Sequence, residues 1–309
     1  MRLVAERRGV FPPAVRAQVT ATACSLPRQS QVPLARWSHR AIARQMAATV
    51  KGPSPSSRTV GRWLKAERIR PWRYHQWQHL HDPEQFLQRA RPVLQRYVQA
   101  LALLKQGIWL VCMDEKTSIQ AREGEEAPRP AEVESPQLQE SRYTRRGALN
   151  LFAALSVADG KVSGVMRSRK RFVDFQSAVQ EMIIPEALDR HMHTVELILD
   201  NGTTHAPKQL EQWLQQLPLV RQGKLTFHVV WLPTNASWLD QIEIWFSILQ
   251  RKGLQPNHFE SLQALEHAIT DFIAYYNQEA KAIQWTYTIE KLEKKLEERE
   301  KKQRNLEAA

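Results

Sequence analysis

The stretch VCMDEKTSIQA, residues 111–121, places Asp114 and Glu115 directly after an apolar run that begins at Ile108. That run, IWLVCM, has the continuous hydrophobicity of a strand buried on both faces. Unpaired charge is costly at the end of such a strand, so the acidic pair calls for compensation. An aspartate there can also be an ordinary turn former or helix cap, and the surrounding sequence has to separate the two readings.

Four more runs read as strands: LNLFAALSV (149–157), VSGVMRS (162–168), VELIL (195–199) and LTFHVVWL (225–232). Helical spacing appears between and around them. PKQLEQWLQQL sets Leu210, Trp213, Leu214 and Leu217 on one face, and SWLDQIEIWFSILQ does the same with Leu239, Ile242, Phe246 and Leu249. Residues 84 to about 106 are also helical in pattern. The sum is an α/β domain with a layered sheet. Residues 122–141 are acidic, proline-rich and without apolar rhythm, so they are expected to form a solvated excursion between the first two strands. The C-terminal IEKLEKKLEEREKKQRNLEAA carries a thin seam of Ile289, Leu292 and Leu296, suited to a solvated helix or to coiled-coil pairing.

The chain has 309 residues, enough for about two domains. Its formal net charge is +12. Residues 1–110 hold 19 Lys+Arg against 4 Asp+Glu, and the remainder holds 25 against 28. The whole basic excess therefore lies in the first third, which points to a polyanion, duplex DNA, as the partner of that region. There, RWSHRAIARQMAATV offers Ser38 as a helix cap, with Ile42 and Met46 inward and Arg40 and Arg44 outward. After the breaker KGPSPS, a second helix starts at Ser56 or Ser57, with Val60 and Leu64 inward and Arg58, Thr59, Arg62 and Lys65 available outside. Two short helices with a tight link match a helix-turn-helix, whose second helix enters the major groove; an ordinary basic hairpin is the alternative. The following RIRPWRYHQWQ mixes Arg70 and Arg73 with Trp72, Tyr74 and Trp77, as a linker lying along DNA or docked on protein. Residues 1–33 show no sustained periodicity and read as a partial or flexible segment.

Cys24 and Cys112 are the two cysteines. They read as free thiols, as in a reducing cytosol. No run approaches a membrane span and no signal-peptide core is present, so an intracellular, cytoplasmic protein without membrane contact is expected. His191 and His193 lack the further ligands of a zinc site.

Three acids stand out by position: Asp114 after the first strand, Asp200 after VELIL, and Glu243 in the helix after the last strand. Strand C-termini in open α/β sheets converge on a crevice, so these acids can form a site for hard divalent cations. Four motifs in order, MDEKTSIQA, RRGALNLFAAL, LILDNGTTHAPKQL and ASWLDQIEIWFSILQRKGL, resemble the catalytic core of mariner-like DDE transposases, in particular the bacterial branch named for insertion sequence 630. The resemblance runs from about residue 34 to 290. It implies a ribonuclease-H-like core preceded by an all-α helix-turn-helix region, with Asp114, Asp200 and Glu243 holding two Mg²⁺ or Mn²⁺ ions. Asp240 stands where the family usually has Asn. Asn201 and His205 are supporting residues by this resemblance, either steadying the site or simply structural.

The resemblance further implies binding of transposon inverted repeats and target DNA, a homodimer on DNA with the 122–141 excursion touching the partner subunit, cut-and-paste movement, a TA target, and a nucleoid-associated place in a bacterial cytoplasm. Relatives carry two tandem helix-turn-helix units, of which only the second is recognisable. The expected division is thus a partial segment 1–33, a helix-turn-helix 34–68, a linker and helix 69–106, a catalytic domain 107–290 and a charged tail 291–309. A ribonuclease-H-like nuclease and a DNA-binding remnant without transposition are the alternatives.

Overall fold

The structure, a computed structural model, describes residues 11–74 and 82–307 and divides into two compact units, Met1–His79 and Leu80–Ala309. The expectation for residues 1–10 and the linker reading of 75–81, including Trp77, lie outside the described residues.

Among its described residues the first unit has three α-helices, α1 (Pro13–Cys24), α2 (His39–Thr49) and α3 (Ser57–Ala66). The reading of residues 1–33 as flexible is corrected over 13–30, which form α1 and a 3-10 turn, Pro27–Ser30. Pro13 starts the helix at a position where its missing N–H costs nothing. Val15, Val19 and Ala23, at i, i+4 and i+8, make its buried stripe. Most of that stripe is small, which is why the periodicity is faint in the sequence. Val19 and Ala23 join Trp37, Ile42, Met46, Val60 and Leu64 in one core. Ser38 and Ser56 cap α2 and α3, each accepting from the backbone N–H three residues on, at 3.1 and 3.2 Å. Trp37 Nε1 donates to Ser25 O at 2.9 Å, and Arg16 pairs with Glu67 at 2.7 Å, so α1 is tied to both later helices' surroundings.

The second unit opens with α4 (Pro83–Lys105), followed by β1 (Ile108–Gly124), β2 (Tyr143–Ser156), β3 (Val162–Arg167), α5 (Phe172–Ala178), α6 (Ile184–Asp189), β4 (Thr194–Leu199), α7 (Pro207–Gln216), α8 (Pro218–Arg221), β5 (Thr226–Trp231), α9 (Ile242–Lys252), α10 (Leu262–Gln278) and α11 (Ile289–Glu307). The strands form one sheet in the order β3-β2-β1-β4-β5. β1, β2 and β3 pair antiparallel, whereas β1–β4 and β4–β5 are parallel. Alternation along the strands feeds two cores. Leu110, Cys112, Leu151, Ala153 and Ile198 face α4, α9, α10 and α11, and Trp109, Val111, Met113, Phe152 and Leu197 face α5 and α7. No described helix is long and apolar enough to cross a membrane.

Three sequence expectations change here. β1 does not stop at Met113: it runs on to Gly124, paired with β2 across two irregularities, with Ile119 and Ala121 inward. Consequently the excursion shrinks to about 125–142, within which Arg129–Leu138 and Glu132–Ser135 form isolated bridges. The seam of α11 is not solvated, because Leu292 and Leu296 are buried in the core and Arg91 of α4 pairs with Glu293. Finally, SWLDQIEIWFSILQ is not one helix, so Asp240 lies outside the helix that carries Glu243. Ser237–Leu239 is a separate 3-10 turn, Asp240 is extended, and α9 begins at Ile242.

Truncating Leu64 to Ala should cost about 2–5 kcal/mol, the usual range for a fully buried leucine. Hydrogen exchange read by mass spectrometry on the full chain should show protection lost over 39–66 and unchanged over 108–113 and 194–199; equal loss in both would mean the two units do not unfold separately.

Candidate active site

Register decides what meets at the end of the sheet. The last β1–β4 pair is Cys112 opposite Ile198. Asp114 and Asp200 each lie two residues beyond that pair, so they sit level at the same end of neighbouring parallel strands. Asp114 is 8 % exposed and Asp200 is half-buried. Asp200 is held by its own turn: Oδ1 accepts from Gly202 N at 2.7 Å, and a Cβ on Gly202 would stand 2.7 Å from that oxygen, closer than packing allows. Asn201 does not touch this carboxyl; its Nδ2 donates to Leu232 O at 2.6 Å, fastening the turn to the end of β5.

His205 is buried behind these acids. Its Nδ1 lies 2.8 Å from Asp200 Oδ1, and its Nε2 lies 3.3 Å from Glu115 Oε2 and 3.9 Å from Asp114 Oδ1. Burial opposes its charge, but the carboxylates of Asp200 and Glu115 beside it carry its pKa up to about 10. These neighbours favour the imidazolium form, with Nδ1 beside Asp200 and Nε2 facing Glu115 and Asp114 without a hydrogen bond to either. Asp200 is held below the usual carboxylate range by this histidine first, and Glu115 by His205 and by Thr204, whose hydroxyl donates to Oε1 at 2.7 Å, against the effect of burial. Lys170 stands 3.6 Å from the same Glu115 oxygen. Asp114, Glu115 and His205 each offer a ligand atom within 4.8 Å of one another, a group that could hold a metal ion.

On the other side of Asp114 no such cation stands among the described residues. Asp240, 1 % exposed, accepts from Ile242 N through Oδ1, while Oδ2 has no hydrogen bond. Burial pushes its pKa up to about 7, with the charges of Glu243 and Asp200 adding to the rise. Burial, then Asp240, pushes Asp114 up to about 8. Glu243, in the first turn of α9, is exposed; burial of part of its side chain and the Asp200 charge raise it, and Lys116 pulls it down. An unsatisfied buried carboxylate oxygen beside mutually raised acids is a surplus of negative charge, which suits a divalent cation.

The sequence thus singled out Asp114, Asp200, Glu243, Asp240 and His205, and the structure brings all five to one end of the sheet. Glu115, Thr204 and Lys170 were missed. Alternation carried the signal for Glu115: consecutive strand residues face opposite ways, so of the acidic pair one follows Cys112 toward Asp240 and the other follows Met113 toward His205.

A mixed five-stranded sheet in this order, with acids at the adjacent ends of its first and fourth strands, defines a ribonuclease-H-like domain. The family described as DDE superfamily endonuclease matches residues 109–266, and the chain belongs to it. No curated protein matches the sequence. Among solved structures, the Mos1 transposase paired-end complex with left transposon end shares the fold, at a TM-score of 0.50 and 16 % identity over 89 % of this chain and 78 % of that one. The Mos1 mariner paired end complex with Mn follows at 0.46 and 16 %, with the same coverage.

Asp114 and Asp240 have folded pKa values above 3.8, and His205 has one above 6.5. All three bind their proton more tightly in the folded chain, so stability should fall as pH rises from about 4 to 10: the Asp240 and Asp114 shares are lost by about 7 and 8, and the His205 share, complete below 6.5, is gone above about 10. In EDTA at pH 8, Asp240→Asn should therefore stabilise the chain by about 1–3 kcal/mol in urea titrations. His205→Gln should flatten the slope between pH 8 and 10. A destabilised Asp240→Asn would contradict the charge surplus.

Proposed function

We propose that this chain is a DNA transposase of a bacterial insertion sequence in the 630 branch, cutting transposon ends and joining them to target DNA at TA. The observation that carries the reading is the level placement of Asp114 and Asp200 beside Asp240 and Glu243, a concentration of carboxylate that only cations offset. Asp114, Asp200 and Glu243 are the residues that would hold Mg²⁺ or Mn²⁺. Glu243 is preferred to Asp240 as third ligand because it is exposed, whereas a wholly buried carboxyl cannot share an ion with water and DNA oxygens. When bound, two such ions supply a lowered water pKa and charge stabilisation at phosphorus.

The chain's own groups divide the remaining tasks. His205 keeps Asp200 in one orientation and ionised, Gly202 lets its backbone N–H approach the same carboxylate, and Thr204 and Lys170 hold Glu115 apart from the reacting phosphate. In the first step a water oxygen attacks phosphorus and the P–O3′ bond breaks, leaving a 3′-hydroxyl. In the second, that hydroxyl attacks a target phosphodiester and displaces another 3′ oxygen. The first unit serves end recognition. Its α2–α3 pair supports a helix-turn-helix reading, with Arg40, Arg44, Arg58, Arg62, Lys65, Arg70 and Arg73 exposed and Thr59 half-buried at the start of α3. A homodimer on DNA is supported by the excursion, where Val133 is 94 % and Leu138 50 % exposed.

Asp114→Asn, Asp200→Asn and Glu243→Gln should each lower cleavage of end-bearing DNA by about 1,000-fold or more with Mg²⁺ or Mn²⁺ while leaving duplex binding intact. Asp240→Asn should keep most activity. Gel analysis distinguishes joined products from plain nicks, and nicks alone would identify a nuclease without strand transfer. If Asp240→Asn is inactive and Glu243→Gln is active, the third ligand is misassigned.

Replacing Val133 and Leu138 together by Ser should abolish paired-end complexes and spare single-end binding, as read by light scattering and gel shift. Unchanged paired-end complexes would remove the excursion from the dimer contact.

A further inference from the structure

Helix α4 turns Phe86, Ala90, Val93, Leu94, Tyr97 and Ala100 into the core, and of these only Tyr97 carries a polar side-chain atom. A phenylalanine would fill the same space, so the hydroxyl needs its own account. It donates to Leu239 O at 2.7 Å, and its oxygen lies 3.4 Å from Cys112 Sγ. Burial pushes the pKa of this phenol well above the ordinary tyrosine value, so it keeps the proton it donates. Trp285 holds the ring edge-on, at a centroid distance of 5.2 Å.

The two groups that the hydroxyl touches lead to different acids. Cys112 precedes Asp114 by two residues on β1, so both side chains leave the same face of the strand. Leu239 ends the 3-10 turn Ser237–Leu239, and Glu243 lies in the first turn of α9 just beyond it. That helix starts without the usual cap, since Gln241 at its N-cap makes no capping bond. Asp240 supplies a substitute: its Oδ1 accepts from Ile242 N at 3.1 Å, and its carbonyl accepts from Glu243 N at 3.3 Å. Where α9 sets out, and Glu243 with it, therefore follows from where the turn is fixed. The Tyr97 hydroxyl fixes that turn against β1.

We propose that Tyr97 is a positioning residue of the metal site, its hydroxyl setting the separation of Asp114 and Glu243 by bridging the strand of one to the turn that launches the helix of the other. The inference rests on the reading of those two acids as ligands of Mg²⁺ or Mn²⁺. Mg²⁺ demands near-ideal octahedral geometry at short distances, so a ligand on a loosened helix start costs it more than the larger Mn²⁺. A hydroxyl that only stabilised the core would leave the affinity for both ions unchanged.

Tyr97→Phe in the full chain keeps the ring and removes the bridge. In plasmid nicking, half-saturating Mg²⁺ should rise about 10-fold and half-saturating Mn²⁺ about 3-fold, with half-saturating DNA and the maximal rate in Mn²⁺ changed less than about 2-fold. Binding of Mn²⁺ without DNA, followed by electron spin resonance of the free ion, should weaken by about 3-fold as well. Val93→Ala, which opens a cavity in the same stripe of α4, should lower the melting temperature more than Tyr97→Phe does and leave both half-saturations at the parent value. Parent-like half-saturations in Tyr97→Phe, or an equal rise in Val93→Ala, overturn the role. A parent that fails to nick overturns the nuclease reading, and Mn²⁺ binding then still decides: weaker binding in Tyr97→Phe supports the role, and equal binding refutes it. If Glu243→Gln binds Mn²⁺ like the parent, the ligand reading falls and the role of Tyr97 with it, whereas weakened Glu243→Gln beside unchanged Tyr97→Phe refutes Tyr97 alone.

Discussion

The parallel pairing of β1 with β4 is the constraint on which the site depends. Because Cys112 stands opposite Ile198, Asp114 and Asp200 emerge at one level, and a slip of a single residue would turn one of them to the opposite face. Buried residues on both sides of both strands fix that register: Leu110, Cys112 and Ile198 lock one face, Val111, Met113 and Leu197 the other. The hydrophobic interior thereby sets the geometry of the charged end. His205 then joins the two strand ends by reaching Asp200 with one ring nitrogen and Glu115 with the other.

Much of this arrangement was legible in the sequence because the five apolar runs have the composition of buried strands, and the acids that matter follow two of them directly. Strand limits were less visible. The continuation of β1 past Asp114 rests on Ile119 and Ala121, too few apolar residues to outweigh the polar text around them. α1 escaped notice for a similar reason, since two of its buried positions, Val19 and Ala23, are small and set among threonines and alanines. The break before α9 could not be read at all: SWLDQIEIWFSILQ has helical spacing throughout, and only the buried placement of Asp240 separates the 3-10 turn from the helix. The role of Glu115 was hidden because its partners, Thr204, His205 and Lys170, come from other parts of the chain.

Charge is divided as clearly as structure. The basic excess lies before residue 111, whereas the catalytic unit is close to neutral, slightly acidic, and internally paired. Positive charge is thus concentrated in the first unit, and among the described residues the acid-lined end of the sheet has Lys116, Lys170 and His205 as local cations.

The excursion between β1 and β2 hangs from a two-stranded ladder that continues beyond the packed sheet, from Arg122–Arg145 to Gly124–Tyr143. Its ends are already held together by that ladder, so lengthening it adds only loop-closure entropy, about 0.6 kcal/mol for each doubling. Insertions and deletions there leave the register of β1, and with it the spacing of Asp114 and Asp200, untouched. The segment can therefore change in length without disturbing the strands that carry it.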